Sequence, residues 1–115
     1  MTDDELGEIV DNTDKKYVIG KQEYLLLIKK QKEKPYSTLY ITDCESNFWL
    51  KKIDQLFFKE IKDELSINSC LKKFSEHFIK GLKSKSKIDV KKLEIQVNIE
   101  LEIGEGLVMN CNFAL

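Results

Sequence analysis

The chain has 115 residues, which is the size of one domain. Its composition is 42% hydrophobic and 34% charged with a single proline, which excludes disordered and collagen-like chains. The net charge is −1 and every basic side chain is a lysine, so a protein that reads DNA bases through bidentate arginines is not expected.

The first 21 residues are expected to form an N-terminal extension that contains a short helix or strand. Thr2 can cap a helix over residues 3–10, because Asp3, Asp4 and Glu5 would then lie in the first turn, where the helix dipole favours negative charge. Gly7 disfavours this helix, and a frayed terminus is the alternative.

Residues 22–53 favour a β-meander of three strands. Residues 24–28 are a continuous apolar run, residues 37–42 are rich in β-branched and aromatic side chains, and residues 48–53 follow a polar turn.

The apolar spacing becomes helical after Asp54, which is a good N-cap residue. Two helices are expected over residues 54–83, the second capped by Ser69 and ended by Gly81 and the Ser/Lys stretch that follows. Apolar side chains at spacings of three and four predict core packing for one face of each helix: Phe57, Phe58, Ile61 and Leu65, then Leu71, Phe74, Phe78 and Leu82.

Residues 93–115 alternate between apolar and polar side chains and predict a closing β-hairpin. One strand runs from Leu93 to Ile103, a turn follows at residues 104–106, and a second strand begins at Leu107. Residues 22–115 are therefore predicted to form one α+β domain, an antiparallel sheet or sandwich with a helical pair packed at one end.

A lysine-rich stretch precedes this hairpin. Lys83, Lys85 and Lys87 are candidates for non-specific contact with a nucleic-acid backbone, and a solvated connection is the alternative.

Few side chains in the sequence suit catalysis. His77 and Cys70 would lie two helical turns apart, about 10 Å, which is too far for a nucleophile and its base. The three cysteines are isolated, so we expect buried free thiols and a reducing compartment. No enzyme activity, cofactor or metal is expected, and neither a membrane span nor a secretory leader is predicted.

The string Leu39-Tyr40-Ile41-Thr42-Asp43, followed by Trp49, resembles the head domains of non-homologous end-joining scaffolds, the XLF and PAXX family. In that family a strand ends in a Thr-Asp turn, a tryptophan follows on the next strand, and a helix-turn-helix precedes the closing strands. The resemblance covers residues 22–115 and implies an α+β head domain, a small antiparallel β-sandwich or barrel with an inserted helix-turn-helix.

The resemblance implies a non-catalytic adaptor in the nucleus that takes part in DNA double-strand break repair. By their motif, Gly106-Leu107 and Asn112-Phe113 are closer to XLF, which makes Leu107 an exposed anchor for the head of the scaffold that partners DNA ligase IV. The alternative is that Leu107 continues the core face of its strand. Homodimerisation through a coiled coil and binding to Ku belong to family segments that match no residue of this chain.

The centriolar cartwheel heads of the SAS type are the second resemblance, since they share the Thr-Asp turn and the helical pair. They imply centriole or basal-body assembly and a centrosomal or cytoplasmic location. The short link from Ile28 to Ser37 and Trp49 favour the repair branch.

Overall fold

Within residues 1–31, 33–91, 94–104 and 107–115, which a computed structural model of the chain describes, the fold has three helices and seven strands. For residues 103 and 104 the description covers the backbone alone. In chain order the elements are α1 (Asp3–Val10), β1 (Thr13–Ile19), β2 (Gln22–Lys30), β3 (Ser37–Thr42), β4 (Phe48–Ile53), α2 (Gln55–Glu64), α3 (Leu71–Ser84), β5 (Ser86–Val90), β6 (Ile95–Gly104) and β7 (Leu107–Ala114).

The strands form two antiparallel sheets. The N-terminal sheet has the order β1-β2-β3-β4, and the C-terminal sheet has the order β5-β6-β7. The helix pair α2–α3 lies between β4 and β5 in the chain. This arrangement confirms the predicted α+β class, with antiparallel strands and a helix pair inserted between them, and it divides the strands into two sheets.

One hydrophobic core joins both sheets and all three helices. Each sheet contributes the side chains of one face, as the alternation of strand residues requires. Helix α3 contacts β5 and β6 of the C-terminal sheet and β1 of the N-terminal sheet. Side chains of α3 therefore form part of the core between the sheets. The largest fully buried side chains include Phe58 of α2 and Phe74 and Phe78 of α3.

The N-terminal segment is built into the domain. Helix α1 begins with the predicted Thr2 cap, which forms a capping box with Glu5, and the helix buries Leu6 and Val10 in the core. Strand β1 follows and pairs along its whole length with β2, which is longer than the predicted 24–28 run. The first 21 residues therefore provide both a helix and an edge strand.

The helix pair differs from the prediction at the ends of α3. Asp54 caps α2 as expected, since its Oδ1 accepts a hydrogen bond from the amide of Phe57 at 2.9 Å. The N-cap of α3 is Cys70, which makes no side-chain capping bond, so the predicted Ser69 cap is wrong. Gly81 lies inside α3, because the helix continues to Ser84.

The segment predicted as a connection after α3 contains β5. Its inward residues Ser86, Ile88 and Val90 alternate with the exposed Lys87 and Asp89. The predicted start of the next strand at Leu93 and the turn residues Glu105 and Gly106 lie outside the described residues.

Candidate partner-binding site

Leu107 begins β7 at the end of the β6–β7 hairpin, opposite Gly104. Its side chain is 65% exposed, and that of its neighbour Val108 is 53% exposed. Two adjacent large apolar side chains therefore face solvent at one end of the C-terminal sheet.

The core ends before it reaches Leu107. Along β7, Cys111 is buried and Met109 is half-buried on the inward face. The partner of Met109 in β6 is Leu101, which is fully buried. Leu107 lies two residues before Met109 and so has the same inward parity on β7, yet its side chain is exposed. The interpretation of Leu107 as a core residue is wrong, and the exposure that an anchor needs is present.

The three candidate DNA-contacting lysines are all exposed but line different concave surfaces. Lys83 lines a groove between α1 and α3 that also contains Glu5 and Glu8. Lys85 and Lys87 line a cavity of about 620 Å³ on the C-terminal sheet. Lys83 therefore shares its groove with two acidic side chains.

Carboxylates accompany the lysines of the C-terminal sheet. Glu100 lines the same cavity as Lys85 and Lys87, and Lys87 lies beside Asn98 in the ladder, which in turn pairs with Asn112. This outer sheet face is polar and of mixed charge, which weakens attraction to a phosphate backbone.

The Thr-Asp motif that carries the family resemblance builds a tight loop after β3. Asp43 Oδ1 accepts hydrogen bonds from the amides of Glu45, Ser46 and Asn47 at 3.0, 3.2 and 3.0 Å. These backbone bonds, the one from Glu45 first, lower the pKa of the Asp43 carboxyl. Thr42 Oγ1 donates to the carbonyl of Asn47 at 3.0 Å. Both motif residues thus stabilise the loop that leads into β4.

A buried hydroxyl pair joins the two sheets. The hydroxyls of Tyr17 in β1 and Ser86 in β5 are 2.7 Å apart, and Ser86 also donates to the carbonyl of Leu82. A serine hydroxyl has a single hydrogen, so Tyr17 is the donor to Ser86. Burial raises the pKa of Tyr17, which keeps the phenol neutral. This pair is a structural link.

The cysteines do not share one environment. Cys111 is buried, whereas Cys44 and Cys70 are exposed, so the prediction that all three are buried is wrong. Burial, with a smaller contribution from Glu64, raises the pKa of the Cys111 thiol to about 11. A thiol with this pKa is a poor nucleophile at neutral pH.

Sequence reasoning missed an apolar surface on β4. Phe48 is 65% exposed and Leu50 is 51% exposed, although both were assigned only to a strand. The signal was the unbroken apolar triplet Phe48-Trp49-Leu50, because a strand with one buried face alternates and this triplet does not.

The described residues contain no group of three or more His, Cys, Asp or Glu side chains that could hold a metal ion. Within the same ranges, none of the helices is both long and apolar enough to cross a membrane. Comparison with known proteins gave no matching family model and no matching curated protein.

Proposed function

We propose that this chain is a non-catalytic scaffold head domain of the XLF and PAXX type, which acts in the repair of DNA double-strand breaks by end joining. The observation that carries the proposal is the exposure of Leu107 at the hairpin end. A large apolar side chain held on a β-hairpin and open to solvent is suited to fill a pocket on a partner.

The order of the elements supports the proposal. Strand β3 ends at Thr42, Asp43 forms the turn, and Trp49 lies on β4. The helices α2 and α3 follow, and the hairpin β6–β7 closes the fold. The family resemblance implies this same order of turn, tryptophan, helix pair and closing hairpin.

The proposed partner of Leu107 is the head of the scaffold that accompanies DNA ligase IV, in the nucleus. Homodimerisation and Ku binding are proposed for the full-length protein, through segments that correspond to no residue described here.

Assembly of centrioles or basal bodies is the second candidate function. The Thr-Asp loop with Phe48 and Trp49 supports this branch as well, since cartwheel heads also place aromatic residues after that turn. It would place the protein at the centrosome or in the cytoplasm.

One experiment distinguishes the end-joining function from the centriolar function. The native full-length protein is affinity-purified from its own cells, and the proteins that bind it are identified by mass spectrometry. Ku and the ligase IV scaffold among the specific partners are the result that the repair proposal predicts. Centriolar proteins in their place would contradict it and support the second candidate.

Contact between the lysines and duplex DNA is a separate part of the proposal. If Lys83, Lys85 and Lys87 each contact a phosphate, the plot of log affinity against log salt has a slope of roughly −2.7. The triple variant Lys83→Gln/Lys85→Gln/Lys87→Gln should then bind far more weakly at low salt. Equal binding of DNA by the triple variant and the native chain would contradict the proposed DNA contact and leave the scaffold proposal intact.

A further inference from the structure

Strand β4 is an edge of the N-terminal sheet, and β3 is its one strand neighbour among the described residues. The carbonyl of Asn47 accepts a hydrogen bond from the amide of Asp43 at 3.1 Å, which fixes the alternation of the ladder. The odd-numbered residues of β4 therefore bond to β3. The amide and carbonyl groups of Phe48, Leu50 and Lys52 point to the open side.

The side chains of these three residues share the outer face of the sheet. Tyr40 lies directly across from Leu50, and Leu27 lies across from Tyr40, so a row of apolar side chains runs to the edge. Leu56, at the start of α2, is 59% exposed and lines a groove of about 270 Å³ with Leu50. The open edge is therefore flanked by apolar surface.

The strand itself is basic. Lys51 and Lys52 are its only charged residues. The Lys52 ammonium lies 3.7 Å from Asp54 and over the ring of Tyr36 at 4.8 Å from its centroid. Asp54 and Glu60 also line the groove, but both lie outside β4, so the two charges carried by the strand itself are positive.

The lysines of β4 determine which kind of strand can pair with this edge. Pairing of β4 with β4 of a second copy would place four lysines and no carboxylate in the two paired strands, and lysines on an edge strand commonly prevent such self-pairing. An acidic strand would instead meet opposite charges across the ladder. The charge on the edge thus disfavours a second copy and favours an acidic partner.

We propose that the β4 edge binds an extended acidic segment of a partner protein, which adds to the N-terminal sheet as a fifth strand. Main-chain hydrogen bonds to Phe48, Leu50 and Lys52 hold the segment, and its side chains provide specificity. The segment carries apolar residues opposite Phe48 and Leu50 and carboxylates opposite Lys51 and Lys52. This surface is in the other sheet from Leu107.

The probe is the heptapeptide Thr-Glu-Glu-Val-Thr-Val-Thr, titrated into the ¹⁵N-labelled chain. In antiparallel register its two glutamates face Lys52 and Lys51, and its two valines face Leu50 and Phe48. Shifts are expected for the β4 amides, together with slower hydrogen exchange at Phe48, Leu50 and Lys52.

Two methylated peptides separate main-chain from side-chain binding. N-methylation at positions 2, 4 and 6 blocks the amides that face β4 and should weaken binding by at least about tenfold. Methylation at positions 3, 5 and 7 alters the outward amides and should change affinity little. Equal loss for the two peptides, or no loss for either, would overturn the proposal.

Charge reversal tests the choice of partner. Lys51→Glu/Lys52→Glu should weaken the acidic peptide by about tenfold, whereas the control Lys80→Glu/Lys91→Glu, at exposed positions in α3 and just after β5, should not. A peptide with lysines in place of glutamates should bind the native chain more weakly than the acidic peptide. Absence of binding at millimolar peptide, or a homodimer that protects the same amides, would overturn the proposal.

Discussion

The carboxylate of Asp43 accepts hydrogen bonds from three successive backbone amides, so the folded loop stabilises the ionised form of this side chain. Its pKa in the fold is lowered from the ordinary value of 3.8. A group of this kind contributes stability above its unfolded pKa, and that contribution is lost as pH falls through the folded pKa.

We therefore expect the Asp43 carboxyl to titrate below pH 3.8 in an NMR pH series. Asp43→Asn should lower the melting temperature at pH 7 and reduce the further loss of stability on acidification. Asp89→Asn, on an exposed residue of β5, is the matched control and should leave the melting temperature unchanged. An unchanged melting temperature for Asp43→Asn would contradict this account of the loop.

The thiols provide a second prediction for single residues. A thiol reagent at pH 8 should modify Cys44 and Cys70 rapidly in the native protein, because both are exposed. Cys111 should react only on unfolding, since it is buried and burial raises its pKa to about 11. Mass spectrometry of the modified chain counts the reacted thiols, and fast triple modification would show that Cys111 is accessible.

At the scale of elements, α3 lies directly on β6 at Gly81. A Cβ atom at this position would lie 2.7 Å from the carbonyl oxygen of Glu100 and 2.8 Å from Cγ2 of Ile99. The contact with backbone cannot be relieved by a side-chain rotation, so the helix and strand would have to separate. Gly81 is therefore required for close packing of the two elements.

Gly81→Ala should destabilise the domain by about 1–2 kcal/mol, since overpacking costs about 1–3 kcal/mol and alanine regains up to about 1 kcal/mol of helix propensity. Gly7→Ala in α1 is the control, because the three atoms nearest to the new Cβ all belong to the flexible Lys30 side chain, the first of them at 3.0 Å. It should be neutral or stabilising. Urea denaturation compares the two, and equal effects would contradict the packing argument.

Elements with a clear apolar period could be predicted from sequence. The meander, α2 and the hairpin follow from alternation or helical spacing, and Gly81 was misinterpreted because sequence shows a glycine without its neighbour in β6. Strand β1 could not be predicted, since its inward positions Thr13, Lys15 and Tyr17 are not aliphatic. Strand β5 does alternate, through Ile88 and Val90, but it has only five residues within a lysine-rich stretch, so the sequence favours a polar connection there.

At the scale of the whole molecule, side-chain bonds between distant residues join the sheets and α3. Tyr17 and Ser86 connect β1 to β5, and the Lys15 ammonium donates to the carbonyl of Lys83 near the end of α3 at 2.9 Å. Such long-range pairs have no local sequence signal. The same limit applies to Leu107, because only the assembled molecule shows that its side chain, two residues before the half-buried Met109 on the same strand, is exposed.

The central claim is that Leu107 binds a partner through a side chain that the fold does not need. The direct test compares Leu107→Asp with Val18→Asp, a residue of β1 with the same 65% exposure, in affinity purification of the full-length protein and in thermal melting. We expect both variants to keep the stability of the native protein within about 0.5 kcal/mol, and only Leu107→Asp to lose the partner by at least about tenfold. Retention of the partner by Leu107→Asp, or a loss of stability specific to it, would contradict the claim.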